Sequence, residues 1–478
     1  MQDDTPTLKK PVVRANKPKS VSDIFNIQNI KKTAVGDWNG SRLLTYGLAL
    51  AVVVASAVFI YYHNHPAFEM HPDTPSYTKP ADTILATGNL VNSFRTPGYP
   101  LFLALIFTLF GRDNLLAVSN LQGILFIVTV IELYYIAYLI FARSWVAAIV
   151  GLMLGVNTFI FNYVKIVIAE GFTLWVLVTF VLCMLLWFKE PSVQKFWIMI
   201  GVYFLLFITR PDWEYLIIPL LAYLLFIMAR RQQLRRFLPH AIAASLALYA
   251  VMGVYIYANS VQNHYTGVTE VQNINLLGKV LQYKLQDNAG PQYAAQQKLV
   301  DTFIQNTTNY VDPFLFGDTY PEFKADHWHL AGAYAQAAVL GNPLSFVTQT
   351  IHVMFFESAY DYSWSNINPY GSAGTWLLRL QKVSLILYKL LAYFPLFVAP
   401  WLFLLFWRHT TQNWMVEAMG AIILIALYEM FITAAGTYID YPRLHVPVNA
   451  LLTLIIWGTL LTGIRLGWDW WQLRTKNA

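Results

Sequence analysis

Acidic residues, arginines and tyrosines gather at the ends of strongly apolar segments in this 478-residue chain. In chain order they are His71, Asp73 and Tyr77; Arg95 and Tyr99; Lys165 and Glu170; Arg210 and Asp212; and Asp440, Arg443 and His445. Arginine binds phosphate through a planar fork of donors, and a neighbouring carboxylate can act as a general base. At the edge of a bilayer, these residue types together favour transfer of a group from a membrane-bound phosphate ester.

Each of these residues, taken alone, also admits a purely structural role. Asp73 could cap a helix or face water, and the arginines could anchor the protein to lipid headgroups. Glu170 could cap the helix that begins at Gly171, and His445 could be a hydrogen-bonded histidine at a helix end. Ionisable groups beside lipid are costly, however, so a set of them at one depth of the membrane indicates a polar site.

The composition identifies the chain as an integral membrane protein. Apolar side chains make up 57% of the residues and charged side chains only 12%, too few to cover a soluble protein of this length. The net charge of +6 comes from short Lys and Arg clusters between apolar runs, which orient a protein in the membrane and do not indicate nucleic-acid binding. The only cysteine, Cys183, excludes an intrachain disulfide and a paired-cysteine metal or redox centre.

The apolar runs predict an all-α fold with about ten transmembrane helices. The predicted spans are residues 43–61, 115–141, 145–164, 172–188, 196–209, 214–229, 238–258, 383–407, 415–435 and 445–464. The runs 196–209 and 214–229 are shorter than the roughly 20 residues that a straight span needs, so they are expected to tilt or to form a re-entrant hairpin. The apolar stretch 98–111 is too short to span and is expected to be an interfacial helix.

Lys and Arg are concentrated in the N-terminal tail and in every second short connection, which places both termini in the cytoplasm. The chain then divides into a basic cytoplasmic tail (1–41), an N-terminal transmembrane module (42–258) with a first external loop (62–114), an external helical region (259–382), C-terminal transmembrane helices (383–464) and a cytoplasmic tail (465–478). In this topology all the polar clusters lie on the external side.

The order of the clusters resembles a known superfamily. Asp73 follows the first span, and Arg95, Thr96, Pro97, Gly98 and Tyr99 lead into the interfacial helix. Glu170 begins a span, Arg210 and Pro211 end a short one, and Tyr441, Pro442 and Arg443 precede the last. This arrangement resembles the C-type glycosyltransferases, in the branch of the protein O-mannosyltransferases and the lipid A aminoarabinose transferases. The resemblance runs from about residue 43 to 464 and is poor over 259–380.

The resemblance implies an active site at the outer leaflet and a sugar donor carried on a polyprenyl or dolichyl phosphate. It places the catalytic acid of the first external loop at Asp73, a second external acid at Glu170 and a phosphate-binding base at Arg95. Many family members carry two adjacent acids, whereas here Thr74 follows Asp73. This departure favours bacterial enzymes of the inner (plasma) membrane that modify surface glycolipids or polysaccharides over those that mannosylate protein.

The expected mechanism is one displacement with inversion, in which Asp73 accepts the proton of the acceptor hydroxyl. Arg95, with Arg443 or Arg210, is expected to stabilise the departing phosphate. The side chains expected to orient the sugar or the acceptor are Tyr77, Tyr99, Glu170 and His445. A divalent metal is optional, because phosphate is a good leaving group; His71 with Asp73, or Asp326 with His327 and His329, are weak candidate ligands.

Two other functions compete with this hypothesis. A transporter or flippase for lipid-linked sugars would need polar groups at the bilayer midplane, broken helices and an internal repeat. The polar clusters lie at one face instead, and no repeat is detected. A polysaccharide polymerase or ligase would also have external arginines and a long loop, and would differ by moving a chain in place of one sugar.

Overall fold

The computed structural model describes residues 40–64, 70–357 and 414–477, which are helical and contain no β-strand. The helices of the first transmembrane part are α1 (Gly40–Asn64), α2 (Thr74–Thr87), α3 (Gly98–Phe110), α4 (Leu115–Phe141), α5 (Ser144–Gly155), α6 (Thr158–Lys165), α7 (Ala169–Lys189), α8 (Val193–Thr209), α9 (Ile217–Arg230) and α10 (Leu234–Asn263). The remaining helices are α11 (Glu270–Gln282), α12 (Ala294–Asn306), α13 (Pro313–Thr319), α14 (Glu322–Ala325), α15 (His329–Gly341), α16 (Pro343–His352), α17 (Trp414–Gly436), α18 (Tyr441–Leu444) and α19 (Asn449–Asn477).

The predicted all-α membrane fold is confirmed, whereas the count of about ten spans is not. Within the described ranges, six helical segments are long and apolar enough to cross a membrane: 40–64, 115–141, 169–189, 211–230, 234–263 and 414–436. Shorter apolar helices occupy 98–110, 144–155, 193–209 and 449–465. The predicted span 383–407 lies outside the described residues. The chain is therefore a multi-pass membrane protein.

The prediction of one continuous helix over 145–164 is wrong. The structure breaks it after Gly155, and the side chain of Asn157 caps the new helix α6 by accepting the backbone N–H groups of Phe159 (3.1 Å) and Ile160 (3.4 Å). At Gly155 a Cβ atom would lie 2.4 Å from Val54 Cγ2, so α5 packs very closely against α1 there. Capping and close packing together explain the break, because an Asn side chain that bonds the next backbone amides starts a helix.

The two short runs meet in a tight polar turn. Helix α8 ends at Thr209, and Pro211–Trp213 forms one turn of 3-10 helix before α9. Tyr203 donates a hydrogen bond of 2.5 Å to the carbonyl oxygen of Trp213, whose side chain is fully buried. Proline has no N–H to continue the α8 ladder, so the chain turns at Arg210 and holds that side chain at the end of the helix.

Helix α3 confirms the helix predicted over 98–111, and its first residue approaches α8 closely. A Cβ atom at Gly98 would lie 2.6 Å from Thr209 Oγ1, 2.7 Å from Thr209 Cα and 2.8 Å from Ile208 C. Two of these neighbours are backbone atoms, which cannot rotate away. Glycine is therefore required where α3 meets the end of α8. The position of α3 in the membrane interface stays a prediction.

Gly98→Ala is expected to destabilise the protein by about 1–3 kcal/mol, because the added methyl group must push two backbones apart. The measurement is the temperature at which the purified protein in detergent loses its monodisperse size-exclusion peak. Gly201→Ala, within α8, is the matched control, because no atom lies within 4 Å of a Cβ there. Equal melting temperatures for the two variants would contradict the close approach.

The long segment that follows α10 packs back onto the transmembrane helices. The backbone N–H of Glu270 donates to Ser93 O (2.8 Å), and the hydroxyl of Thr269 donates to Phe94 O (3.1 Å). Helix α15 packs along α11. These contacts place the start of α11 beside the loop that carries Arg95.

Candidate active site

A cavity of about 540 Å³ lies among the polar ends of the helices and the segment that follows α10. Its charged lining residues come from five separate parts of the chain: Asp73, Arg95, Glu170, Arg210, Asp212, Asp440 and Arg443. The structure therefore brings together six of the eight site residues expected from the sequence: Asp73, Tyr77, Arg95, Glu170, Arg210 and Arg443.

Asp73 is held at the start of α2 by a tight hydrogen-bonded turn. Its backbone N–H donates to His71 Nδ1 (3.1 Å), and its carbonyl oxygen accepts from the hydroxyl of Ser76 (2.6 Å). The hydroxyl of Thr74 donates to Val167 O (3.1 Å), which ties the turn to the segment before α7. Thr74, at the position of the missing second acid, is thus a structural residue beneath the cavity.

The carboxylate of Asp73 lies between two arginines. Oδ2 accepts a hydrogen bond of 2.8 Å from Arg443 Nη1, and Oδ1 lies 3.2 Å from Arg95 Nη2. Burial alone would raise the pKa of Asp73, but the charges of Arg95 and Arg443 and the hydrogen bond from Arg443 together lower it. Asp73 is therefore a carboxylate at neutral pH and can accept a proton.

Arg443 is the central cation of the cavity. In addition to Asp73, its Nε lies 3.3 Å from Glu170 Oε1 and 3.4 Å from Asp440 Oδ2. Nη1 also lies 3.2 Å from His71 Nε2. Burial and the charge of Arg443 lower the pKa of His71, so that ring is neutral at pH 7. Arg443 thus joins residues from the segment before α2, from α7 and from the turn before α19.

Arg95 is oriented by a hydroxyl and an aromatic ring. Its Nε donates to Ser76 Oγ (2.8 Å), and its guanidinium carbon lies 4.4 Å from the centre of the Tyr77 ring. Asn92 Oδ1 accepts the backbone N–H of Arg95 (2.8 Å) and shapes the turn before α3. Burial raises the pKa of Tyr77 to about 12, so its hydroxyl stays neutral. One face of the Arg95 guanidinium therefore packs against Tyr77, while its Nη2 end reaches Asp73.

Arg210 lines the cavity but is paired differently. It forms an ion pair with Asp212 and donates to Leu444 O (3.3 Å). Its side chain is more buried than those of Arg95 and Arg443. Through these two contacts, Arg210 joins the α8–α9 turn to α18. Because it also lines the cavity, it can contact a ligand there.

The structure places Tyr99 and His445 outside the cavity lining. Tyr99 is fully buried, donates to Gln122 Oε1 (2.6 Å) and packs edge-on against Tyr77 with ring centres 5.1 Å apart. His445 follows the short helix α18 that carries Arg443, and its side chain is buried. Their predicted contact with a substrate has no support in this geometry. Tyr99 supports the Tyr77 ring on which Arg95 packs.

A second group of lining residues is uncharged, and none of its members is among the predicted site residues. Gln272 and Asn275 come from α11, Phe314 from α13, and Thr433 and Tyr438 from the end of α17 and the turn after it. Amide and hydroxyl groups in a polar stretch of sequence carry no distinguishing pattern. Packing places them at the cavity: the start of α11 bonds residues 93–94, and α11 also contacts α13 and α17.

The donor set around Asp73 fits an anion better than a metal ion. Both oxygens of Asp73 already face guanidinium groups, and His71 Nδ1 lies 3.8 Å from Asp73 Oδ2. His327, in the second candidate set, contacts Glu270 Oε1 at 2.9 Å. Among the residues described, no group of three or more His, Cys, Asp or Glu side chains could hold a metal ion.

Residues 95–257 match the family model described as dolichyl-phosphate-mannose-protein mannosyltransferase. The resemblance expected from the sequence is confirmed over this stretch. It includes Arg95, Glu170 and Arg210, whereas Asp73 and Arg443 lie outside it. No curated protein matches the chain.

Solved structures of membrane glycosyltransferases are similar at low identity. The archaeal oligosaccharyltransferase AglB from Archaeoglobus fulgidus, with an inhibitory peptide and a dolichol-phosphate, shows 11% identity and a TM-score of 0.46. That alignment covers 86% of this chain and 50% of that one, so the chain spans about half the length of that relative. ArnT from Cupriavidus metallidurans bound to undecaprenyl phosphate shows 14% identity, covers 84% and 77% of the two chains and has a TM-score of 0.37.

Proposed function

We propose that this protein is a glycosyltransferase that moves one sugar from a polyprenyl-phosphate carrier to an acceptor, with inversion at the anomeric carbon. The observation that carries the proposal is the carboxylate of Asp73 held between Arg95 and Arg443 in a membrane-embedded chain. The family description matched by residues 95–257, which names a lipid-phosphate sugar donor, supports the same class of donor.

In the proposed reaction, the acceptor oxygen attacks the anomeric carbon while Asp73 takes its proton. The bond between that carbon and the phosphate oxygen breaks, and its electron pair leaves with the polyprenyl phosphate. The products are the glycosylated acceptor and free polyprenyl phosphate, and the proton on Asp73 then passes to water. The negative charge grows on the leaving phosphate, where Arg95 and Arg443 supply preorganised donors.

Arg95 and Arg443 would pair with the carboxylate of Asp73 before the donor binds and with the donor phosphate afterwards. In the described state they neutralise Asp73 and lower its pKa, which makes it a weak base. A bound donor phosphate would compete for the same guanidinium groups and draw part of their charge away from Asp73. The basicity of Asp73 would then rise only when the donor is in place, which couples proton transfer to donor binding.

We further propose that the cavity faces the external or periplasmic side of the inner (plasma) membrane, with both chain termini in the cytoplasm. The support is the distribution of Lys and Arg among the short connections. Within the described helices, the cavity residues lie at the ends opposite to the Arg231–Glu417 ion pair, which joins the α9–α10 connection to the start of α17.

The acceptor would lie against the uncharged wall formed by α11, where Gln272 and Asn275 line the cavity. Amide groups can both donate to and accept from sugar hydroxyls. A glycan, a surface glycolipid or a protein side chain could supply the attacking hydroxyl, and the transferred sugar could be a hexose or a pentose. The external helical region 259–382 would then select the acceptor.

The experiment is reconstitution of the purified protein in liposomes with undecaprenyl phosphate linked to a radiolabelled hexose or pentose and a membrane extract as acceptor. We expect free undecaprenyl phosphate to appear in equal amount to single sugars on the acceptor fraction. Labelled carrier that crosses the bilayer without release of undecaprenyl phosphate would favour a transporter. Products that carry several sugars per released carrier would favour a polymerase or ligase.

A further inference from the structure

Lys279 is a lysine of helix α11 that is fully buried and lies outside the cavity lining. Its Nζ lies 2.5 Å from the hydroxyl of Tyr441, 2.9 Å from Gln282 Oε1 and 3.1 Å from the hydroxyl of Tyr283. The rings of Tyr283 and Tyr441 flank it at 4.6 and 4.7 Å. A buried ammonium group needs such oxygen partners and aromatic faces, so this site is built around the charge.

The same cluster holds the turn that carries Arg443. Tyr441 begins α18, two residues before Arg443, and its hydroxyl lies 2.7 Å from Gln282 Oε1 while it accepts from Lys279. The three groups form a small network in which each polar atom orients the next. Removing the ammonium group would leave the Tyr441 hydroxyl bonded to Gln282 Oε1 and to Tyr438 O (3.2 Å) but without its contact to Lys279, which would loosen the start of this turn.

Close packing at Gly278 adds a second anchor beside the network. A Cβ atom there would lie 2.5 Å from Tyr438 Cγ, so α11 rests directly on the side chain of Tyr438. The hydroxyl of Tyr283 donates to Ala434 O (3.2 Å), near the end of α17. The residues just after α11 and the chain that leads to Arg443 are therefore joined at several points.

Helix α11 also reaches the cavity on the same face. Gln272 and Asn275 line the cavity, and Lys279 and Gln282 follow at spacings of three and four residues, which place all four side chains on one stripe of a helix. The single helix α11 thus carries both the uncharged wall of the cavity and the residues that hold the turn of Arg443.

We propose that Lys279 is a positioning residue that fixes the guanidinium group of Arg443 through Tyr441. This inference rests on the proposed function, in which Arg443 binds the donor phosphate. Lys279 touches no substrate in this arrangement. It sets the geometry with which Arg443 meets the phosphate, and it ties that geometry to the helix that faces the acceptor.

The test compares wild type, Lys279→Met and Tyr441→Phe in lipid nanodiscs, with binding of undecaprenyl phosphate and sugar transfer as separate readouts. We expect both variants to bind undecaprenyl phosphate about tenfold more weakly and to raise the KM for the donor by the same factor, the size of one lost charge-assisted hydrogen bond. The KM for the acceptor is expected to stay within about twofold of wild type, because the acceptor wall stays intact.

The deciding measurement repeats Lys279→Met and Tyr441→Phe in an Arg443→Lys background. If Lys279 acts through Arg443, each change weakens the binding of undecaprenyl phosphate in that background by less than about a further twofold. The reason is that the guanidinium group that Lys279 positions is already absent. If each change weakens binding in the Arg443→Lys background by the same factor as in wild type, the inference is overturned. Tyr441→Phe keeps its ring and decides the matter alone should Lys279→Met fail to fold. Lys324→Met is the control, since this exposed lysine pairs with Asp318 in the same external segment.

The outcomes also separate this inference from the proposed function. Variants that bind undecaprenyl phosphate as tightly as an active wild type would reject the role of Lys279 and leave the glycosyltransferase intact. A wild type that binds undecaprenyl phosphate but transfers no sugar would reject the proposed function, while the binding ratios still test Lys279. A wild type that binds none would reject both.

Discussion

Asp73→Asn is expected to reduce sugar transfer by about a thousandfold while the protein remains folded and still binds its lipid donor. Asparagine has almost the same shape as aspartate but cannot accept the proton of the attacking hydroxyl. Because Arg95 and Arg443 lower the pKa of Asp73, the wild-type group is fully ionised at neutral pH. The loss therefore reflects the missing base across the neutral range. The measurement is the rate of undecaprenyl phosphate release at saturating donor.

Asp82→Asn is a closely matched control for this prediction. Asp82 lies in α2, the helix that Asp73 precedes. Its side chain is 29% exposed against 31% for Asp73, and it pairs with Arg112 at 2.8 Å. It lies outside the cavity lining, so its removal should leave the rate unchanged. If Asp73→Asn releases undecaprenyl phosphate as fast as Asp82→Asn, then Asp73 is a structural residue and another group must accept the proton.

Arg443→Gln is expected to have two large effects. Transfer should fall by about 10²–10³-fold, because the leaving phosphate loses a preorganised charged donor. The protein should also lose about 3–5 kcal/mol of stability, because Glu170, with a side chain only 4% exposed, is left with an uncompensated buried charge. Release of undecaprenyl phosphate measures the first effect, and thermal unfolding in detergent measures the second.

The double variant Arg443→Gln with Glu170→Gln separates the two effects. It removes both members of the buried pair, so most of the lost stability should return, whereas transfer should stay low because the phosphate still lacks its donor. Arg112→Gln, which removes an exposed arginine from the Asp82 pair, controls for loss of positive charge. A double variant with wild-type activity would show that Arg443 acts only by holding the fold together.

The sequence by itself determined the class of protein and most of the charged site. Charged residues are rare in a chain that lipid surrounds, so Asp73, Arg95, Glu170 and Arg443 stand out against their apolar neighbours. Apolar runs also identified the long helices, since burial in lipid requires an uninterrupted apolar stretch of about 20 residues. Both signals are local and need no knowledge of the partners across the fold.

The tertiary structure decided the rest, because those features depend on contacts between distant parts of the chain. Asp73 and Arg443 are 370 positions apart, and only packing of the helix ends brings their side chains to 2.8 Å. Tyr99 has the same residue type as Tyr77 and begins a helix beside the cavity, yet its hydroxyl points to Gln122.

The break after Gly155 has one local signal, the capping residue Asn157, and the burial of Lys279 has none, so both also depend on tertiary contacts. Close packing of α5 on α1 favours the break after Gly155. Lys279 can be buried because two tyrosines and a glutamine surround its ammonium group. A sequence pattern records the polarity of each residue, whereas burial and pairing are properties of the neighbours that folding supplies. For that reason the pattern revealed the charged groups of the site, and the fold alone revealed what holds them in place.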